Sequence, residues 1–127
     1  MKALIFQPLV FLTAFPIYAQ DWDAIGEAFV AEVSQCWNVG SLSPAARKAT
    51  VVVRFQMDRY GHPDPVTIRM VGSSGGSERS ASEAFEVARR AILRCGTDGY
   101  DLPLAHYENW QEVEMTFNAN GQGPALS

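Results

Sequence analysis

Thr50-Val51-Val52-Val53-Arg54-Phe55-Gln56-Met57-Asp58, running on into Arg59-Tyr60-Gly61, is the stretch that decides the fold. Val51, Val53, Phe55 and Met57 fall on one side of an extended chain, and Val52, Arg54, Gln56 and Asp58 on the other. That period of two marks a strand with one buried face. Asp58-Arg59-Tyr60-Gly61 suits a type I turn closed by a glycine with positive φ, so the strand is expected to return as a bulged hairpin. A second strand is predicted over residues 65–71, with Val66, Ile68 and Met70 on one face. Gly72 to Ser77 then reads as a flexible loop.

Either side of this hairpin the period changes to that of a helix. Before it, residues 22–37 carry Ile25, Phe29, Val33 and Trp37 or Cys36 on one stripe, with Glu27, Glu32 and Gln35 off it. Asp21 is the expected N-cap, and Gly40 and Pro44 end the segment in a small-residue connector over 38–49. After the hairpin, Ser80-Ala81-Ser82-Glu83 fits a capping box. The helix that follows is expected to bury Ala84, Phe85, Ala88, Ala91, Ile92 and Cys95 and to stop at Gly96. Trp110 to Phe117 alternates again, with Val113, Met115 and Phe117 inward and Glu112, Glu114 and Thr116 toward water. The predicted fold is therefore α+β: a three-stranded antiparallel sheet with two helices packed on one face, in the order α-β-β-α-β. The first strand, the most apolar, belongs in the centre, and the last lies beside it as an exposed edge.

The N-terminus reads as an export signal over residues 1–19. Lys2 is a short positive region, an apolar run follows to Ala19, and Gln20 opens the mature chain. Pro8 and Pro16 interrupt a run already short for a bilayer span, although an uncleaved anchor in the inner membrane is the alternative. One domain is expected over residues 20–119, with a disordered tail at 120–127 that has Gly121, Gly123 and Pro124 and no apolar pattern. Loss of Lys2 takes the formal charge from −4 to about −5. Such a mildly acidic surface argues against nucleic acid or anionic lipid as partners.

Two cysteines, Cys36 and Cys95, sit at the ends of the two predicted helices. Disulfide, metal ligation and free thiols are the options. With no Cys-x-x-Cys and no clustered histidine, metal is disfavoured, and an oxidising compartment favours a structural disulfide. His62 in the hairpin turn and His106 before the last strand are candidate bases, with Ser73, Ser74 or Ser77 as nucleophile. No nucleophile-elbow pattern surrounds those serines, so they read first as turn chemistry. The loop also lacks the lysine of a phosphate-binding loop, and no cofactor is expected. Arg89, Arg90 and Arg94 read as a solvated helix face whose charge suits the C-terminus. Trp37 reads as core. Trp110 is either an aromatic anchor for a partner or part of the core.

Taken in order, Cys36-Trp37, the Val51–Asp58 strand with its turn at Gly61, Gly72-Ser73-Ser74-Gly75, the Ala88–Cys95 helix, Leu102-Pro103, Tyr107, Trp110 and Thr116-Phe117-Asn118 resemble the C-terminal domain of TolA. They are more distantly similar to that of TonB. The resemblance spans about residues 22–119 and implies a periplasmic, non-enzymatic adaptor of the Tol–Pal system, with TolB and Pal among the family's partners. It implies binding by β-strand addition at the last strand, through Trp110, Gln111, Glu112, Val113, Glu114, Met115, Thr116 and Phe117, in a monomer or a weak edge-paired dimer. One departure is plain: TolA places an anchor and a long helical stalk before this domain, and here the expected signal leads straight into the fold. A soluble paralogue is therefore expected ahead of an energy transducer. The competing reading is a small secreted hydrolase or ligand-binding protein that uses the Ser73–Ser77 loop with His62 or His106.

Overall fold

The computed structural model describes residues 17–121 and 123–127. All but the last three residues of the expected export signal lie outside the described residues. Helix α1 spans Ile17–Cys36, so Asp21 lies inside it and is not its N-cap. No glycine or proline stands between Ile17 and Asp21 to stop the helix there. Strand β1 (Thr50–Gln56) is followed by β2 (Arg69–Ser74), helix α2 (Glu78–Cys95), a single-turn helix α3 (Tyr107–Trp110), β3 (Glu112–Asn118) and β4 (Gly123–Leu126). No helix among the described residues is long and apolar enough to cross a membrane.

The fold is α+β, as the alternating periods imply, but the sheet has four antiparallel strands in the order β2-β1-β3-β4. The expected three-stranded sheet with two helices is corrected by one strand and one short helix. β1 does lie in the interior, and its Val51, Val53 and Phe55 are buried. They meet Phe29 and Val33 of α1, Ala84, Ala88, Ala91 and Ile92 of α2, and Val113, Met115 and Phe117 of β3 in one core. Both long helices cover that face. The other face is polar: Arg54 stands opposite Glu114 and Gln56 opposite Glu112.

Local chemistry explains where the elements begin. The hairpin turn forms as expected: Gly61 has φ +82°, and its N–H donates to the Asp58 carbonyl at 3.1 Å. The Asp58 carboxylate accepts the N–H groups of Tyr60 and His62. The second strand begins four residues later than the alternation suggests. Pro65–Thr67 is a 3₁₀ turn, because Asp64 caps it by accepting the Val66 N–H and Pro65 has the φ such a turn needs. Val66 is left 93% exposed. Gly72, Ser73 and Ser74, expected as loop, pair instead with Val52, Val51 and Thr50 across a bulge at Val71.

Helix α2 opens at Ser77, whose hydroxyl accepts the Ser80 N–H, three residues before the expected capping box. Glu83 is thereby free for a longer-range task. Its carboxylate accepts both the N–H and the hydroxyl of Ser43, fixing the connector to α2 at 2.7 and 2.9 Å. At the other end Gly96 caps the helix, and a side chain there would run into Pro63 and Tyr100. Cys36 and Cys95 form a disulfide with their Cα atoms 5.8 Å apart, tying the C-terminal ends of α1 and α2 together.

Candidate functional site

The sequence nominates β3 as an exposed edge, and the backbone places it otherwise. β3 pairs with β1 along its whole length, and with β4 from Met115↔Leu126 to Asn118↔Gly123. The tail expected to be disordered is therefore the fourth strand. Asn118 starts the connection, with its carbonyl accepting the Gly121 N–H and its side chain accepting the Asn120 N–H. Asn120-Gly121 is a strong hairpin dipeptide. It is the signal that reveals β4 in the sequence, masked there by the brevity of the Gly123–Leu126 segment.

The polarity of β4 follows from one hydrogen bond. The Ser127 N–H donates to the Glu114 carbonyl at 3.0 Å. Alternate residues of an antiparallel strand face the same neighbour, so Gly123, Ala125 and Ser127 direct their polar groups at β3, and Pro124 and Leu126 direct theirs outward. Proline has no N–H to offer. The outer margin of β4 thus has one N–H donor, that of Leu126, which makes it a poor template for a further strand. Inward, Pro124 is buried and Leu126 half-buried beneath α1. Gly26 permits that approach: a Cβ there would lie 3.2 Å from Leu126 Cδ1.

β4 stops short of the start of β3. Glu112, two residues before Glu114, faces the same side and among the described residues has no strand opposite it there. The opening is a hollow of about 90 Å³ lined by residues that include Trp22, Asn109, Val113 and Ser127. Beside it, a groove of about 540 Å³ runs between α1 and β4, with Asp23, Glu27 and Val30 on the helix and Pro124, Ala125 and Leu126 on the strand. On the polar face, Arg54 holds Glu114 with Nη2 at 2.6 Å and Nε at 3.2 Å from the same oxygen. Hydrogen bonding from Arg54, and then from Ser127, lowers the Glu114 carboxyl below the usual carboxylate range.

Trp110 does not open the strand. It ends α3, is 1% exposed, donates its indole N–H to the Pro103 carbonyl at 2.9 Å, and packs edge-on against Tyr107. Its role is core packing, which corrects the anchor reading. Gln111 joins α3 to β3: its N–H donates to Tyr107 and its carbonyl accepts the Met57 N–H. Of the nominated edge residues, Glu112 and Glu114 remain on accessible backbone or side-chain surface. Val113, Met115 and Phe117 are core, and Thr116 sits on the polar face against Val52 and Ala125.

The serine and histidine candidates are not brought together. Ser73 and Ser74 stand opposite Val51 and Thr50 at one end of β1. His62 lies in the turn beyond the other end, its Nδ1 3.2 Å from Asp58. His106 is beside Trp22 and next in sequence to Tyr107, whose hydroxyl donates to the Met57 carbonyl at that same far end. Six strand steps, about 20 Å, separate the two ends. Ser77 serves as a helix cap. Asp58 is lowered chiefly by the His62 backbone N–H, and Glu83 by that of Ser43. Burial raises Glu32, with the charge of Asp101 adding to it. Burial also raises the Tyr100 hydroxyl, which donates to the Ile92 carbonyl at 2.6 Å. Among the described residues no group of three or more His, Cys, Asp or Glu side chains is placed to hold a metal.

The chain matches no protein-family model, no curated protein and no solved structure.

Proposed function

We propose that this chain is a non-enzymatic protein-interaction module of the bacterial cell envelope, exported to the periplasm, which binds an extended segment of a partner by strand addition to β3. The segment takes the place of β4. The resemblance to the TolA C-terminal domain supplies the class of partner, periplasmic proteins such as TolB and Pal. One observation carries the reading. Among the described residues the outer side of β3 is covered by a four-residue strand, and Glu112 has no strand residue opposite it on that side. A longer partner strand can start at Glu112 and displace β4 stepwise, gaining main-chain bonds that β4 is too short to make. Glu112, Asp23 and Glu27 around the opening favour a segment with a basic residue.

The test is an amide-shift NMR titration of the oxidised chain with TolB. The expected result is movement of Glu112 to Asn118 together with loss of the sheet-like shifts of Ala125 and Ser127. Perturbation confined to β2, the other edge of the sheet, or none at millimolar partner, rejects the strand-exchange reading.

A further inference from the structure

The sequence treats Arg90 and Arg94 as a solvated helix face, and the tertiary structure gives them a setting. They are one turn apart on α2 and both line a cleft of about 460 Å³ between the end of α1 and the last two turns of α2. Asn38, Ser41 and Thr97 share its walls, and Val87 and Leu93 give it apolar surface. Arg94 also borders a second hollow of about 320 Å³, lined by Gln35 and Trp37; the two hollows share Cys36, Asn38 and Arg94. They form a trough that straddles one guanidinium.

Three features bear on what this surface could hold. Among the described residues neither guanidinium has an acidic partner or a hydrogen-bond acceptor. Like charges at i and i+4 disfavour each other, in a chain whose net charge is −4. Trp37, on the wall of the second hollow, has a buried indole N–H with no acceptor among the described residues, and buried donors are normally satisfied. Finally, the Cys36–Cys95 disulfide lies at the head of the trough and fixes the spacing of its two walls, so little ordering remains to be done on binding.

We propose that this trough binds an acidic peptide segment of a protein partner, with Arg90 and Arg94 clamping carboxylates. Planar guanidinium forks match carboxylates two bonds at a time. The apolar wall from Val87 and Leu93, and a length that runs past Arg94 on both sides, fit a chain alternating acidic and apolar side chains better than a small isolated anion. The site is at the opposite end of α1 from the β3–β4 opening, and the Trp37 ring, against Phe117 and beside Gly123, is its contact with β3 and β4.

The probe is a blocked eight-residue peptide of alternating Glu and Leu, titrated into the oxidised, isotope-labelled chain at low salt. Saturable shifts are expected at residues 35–41 and 87–97, with a change in the Trp37 indole resonance. The double variant Arg90→Gln/Arg94→Gln should bind about tenfold more weakly, the size expected for two exposed ion pairs. Arg79→Gln, at the other end of α2, should leave binding unchanged. These positions are exposed, so the variants keep the fold. No saturation at millimolar peptide, equal binding by the double variant, or equal binding of the Gln-for-Glu peptide overturns the proposal. Saturable binding of inorganic phosphate that displaces the peptide from the same residues also overturns it, in favour of a small-anion site.

Discussion

Leu126→Ala should weaken the protein locally and strengthen its binding, and that opposition of sign separates strand exchange from simple docking. Leu126 is half-buried under α1, against Gly26. Truncation removes three carbons. At about 0.8 kcal/mol per fully buried methylene, halved for partial burial, the loss is about 1.2 kcal/mol. That cost falls on the closed arrangement of β4, so the population with β4 released rises roughly sevenfold. A partner that needs β3 uncovered gains up to the same factor in apparent affinity, since it no longer bears that part of the opening free energy. Two measurements check this. Hydrogen exchange should show the Ala125 amide exchanging roughly sevenfold faster while the Val53 amide in central β1 is little changed, because β4 opens without global unfolding. Calorimetric titration with TolB should show tighter binding by a similar factor. If Ala125 exchanges only with the global unfolding of β1, or if Leu126→Ala weakens binding, β4 is a permanent strand and the mechanism proposed for β3 is wrong.

Other outcomes follow from the same geometry. Replacing both cysteines with serine frees a loop of 59 residues in sequence separation; the chain-entropy model puts the stability lost at about 4 kcal/mol, measurable by urea unfolding against the oxidised parent. Trp110→Ala should cost about 3–5 kcal/mol by emptying a fully buried site and orphaning the Pro103 carbonyl, and thermal unfolding will show it as a folding defect before any binding defect. Gly61→Ala should destabilise by more than the usual surface change, since φ is +82° and the new Cβ meets the Tyr100 backbone. The carboxyls of Asp58, Glu83 and Glu114 are all lowered in the folded chain. Their contribution is present above their ordinary values, 3.8 for Asp58 and 4.5 for the two glutamates. It is lost as pH falls through the lower folded values. Glu83→Gln should flatten part of that acid limb, which denaturant midpoints between pH 5 and pH 2.5 (roughly) would resolve; an unchanged slope would mean the Ser43 bonds carry no proton linkage.

Periodicity alone determined the α+β class, the central place of Val51–Phe55, the turn at Gly61, the two long helices and the inward set Val113, Met115 and Phe117. Each of these depends on contacts a few residues apart or on a solvent-facing alternation, and both are written in the local order of side chains. The pairing of Cys36 with Cys95 was legible for a different reason: two cysteines have one intramolecular pairing. Tertiary structure alone decided the margins of the sheet and hence the site. Gly123–Leu126 has no strand propensity of its own; it becomes a strand because β3 offers unpaired N–H and C=O groups and Gly26 leaves room for Leu126. Trp110 passed from candidate anchor to core because the Pro103 carbonyl, brought round by the loop, satisfies its indole. Arg90 and Arg94 border a trough because α1 packs beside α2 in the core and the disulfide ties their ends. In every such case the determining partner is distant in sequence, so no window of neighbouring residues contains the information.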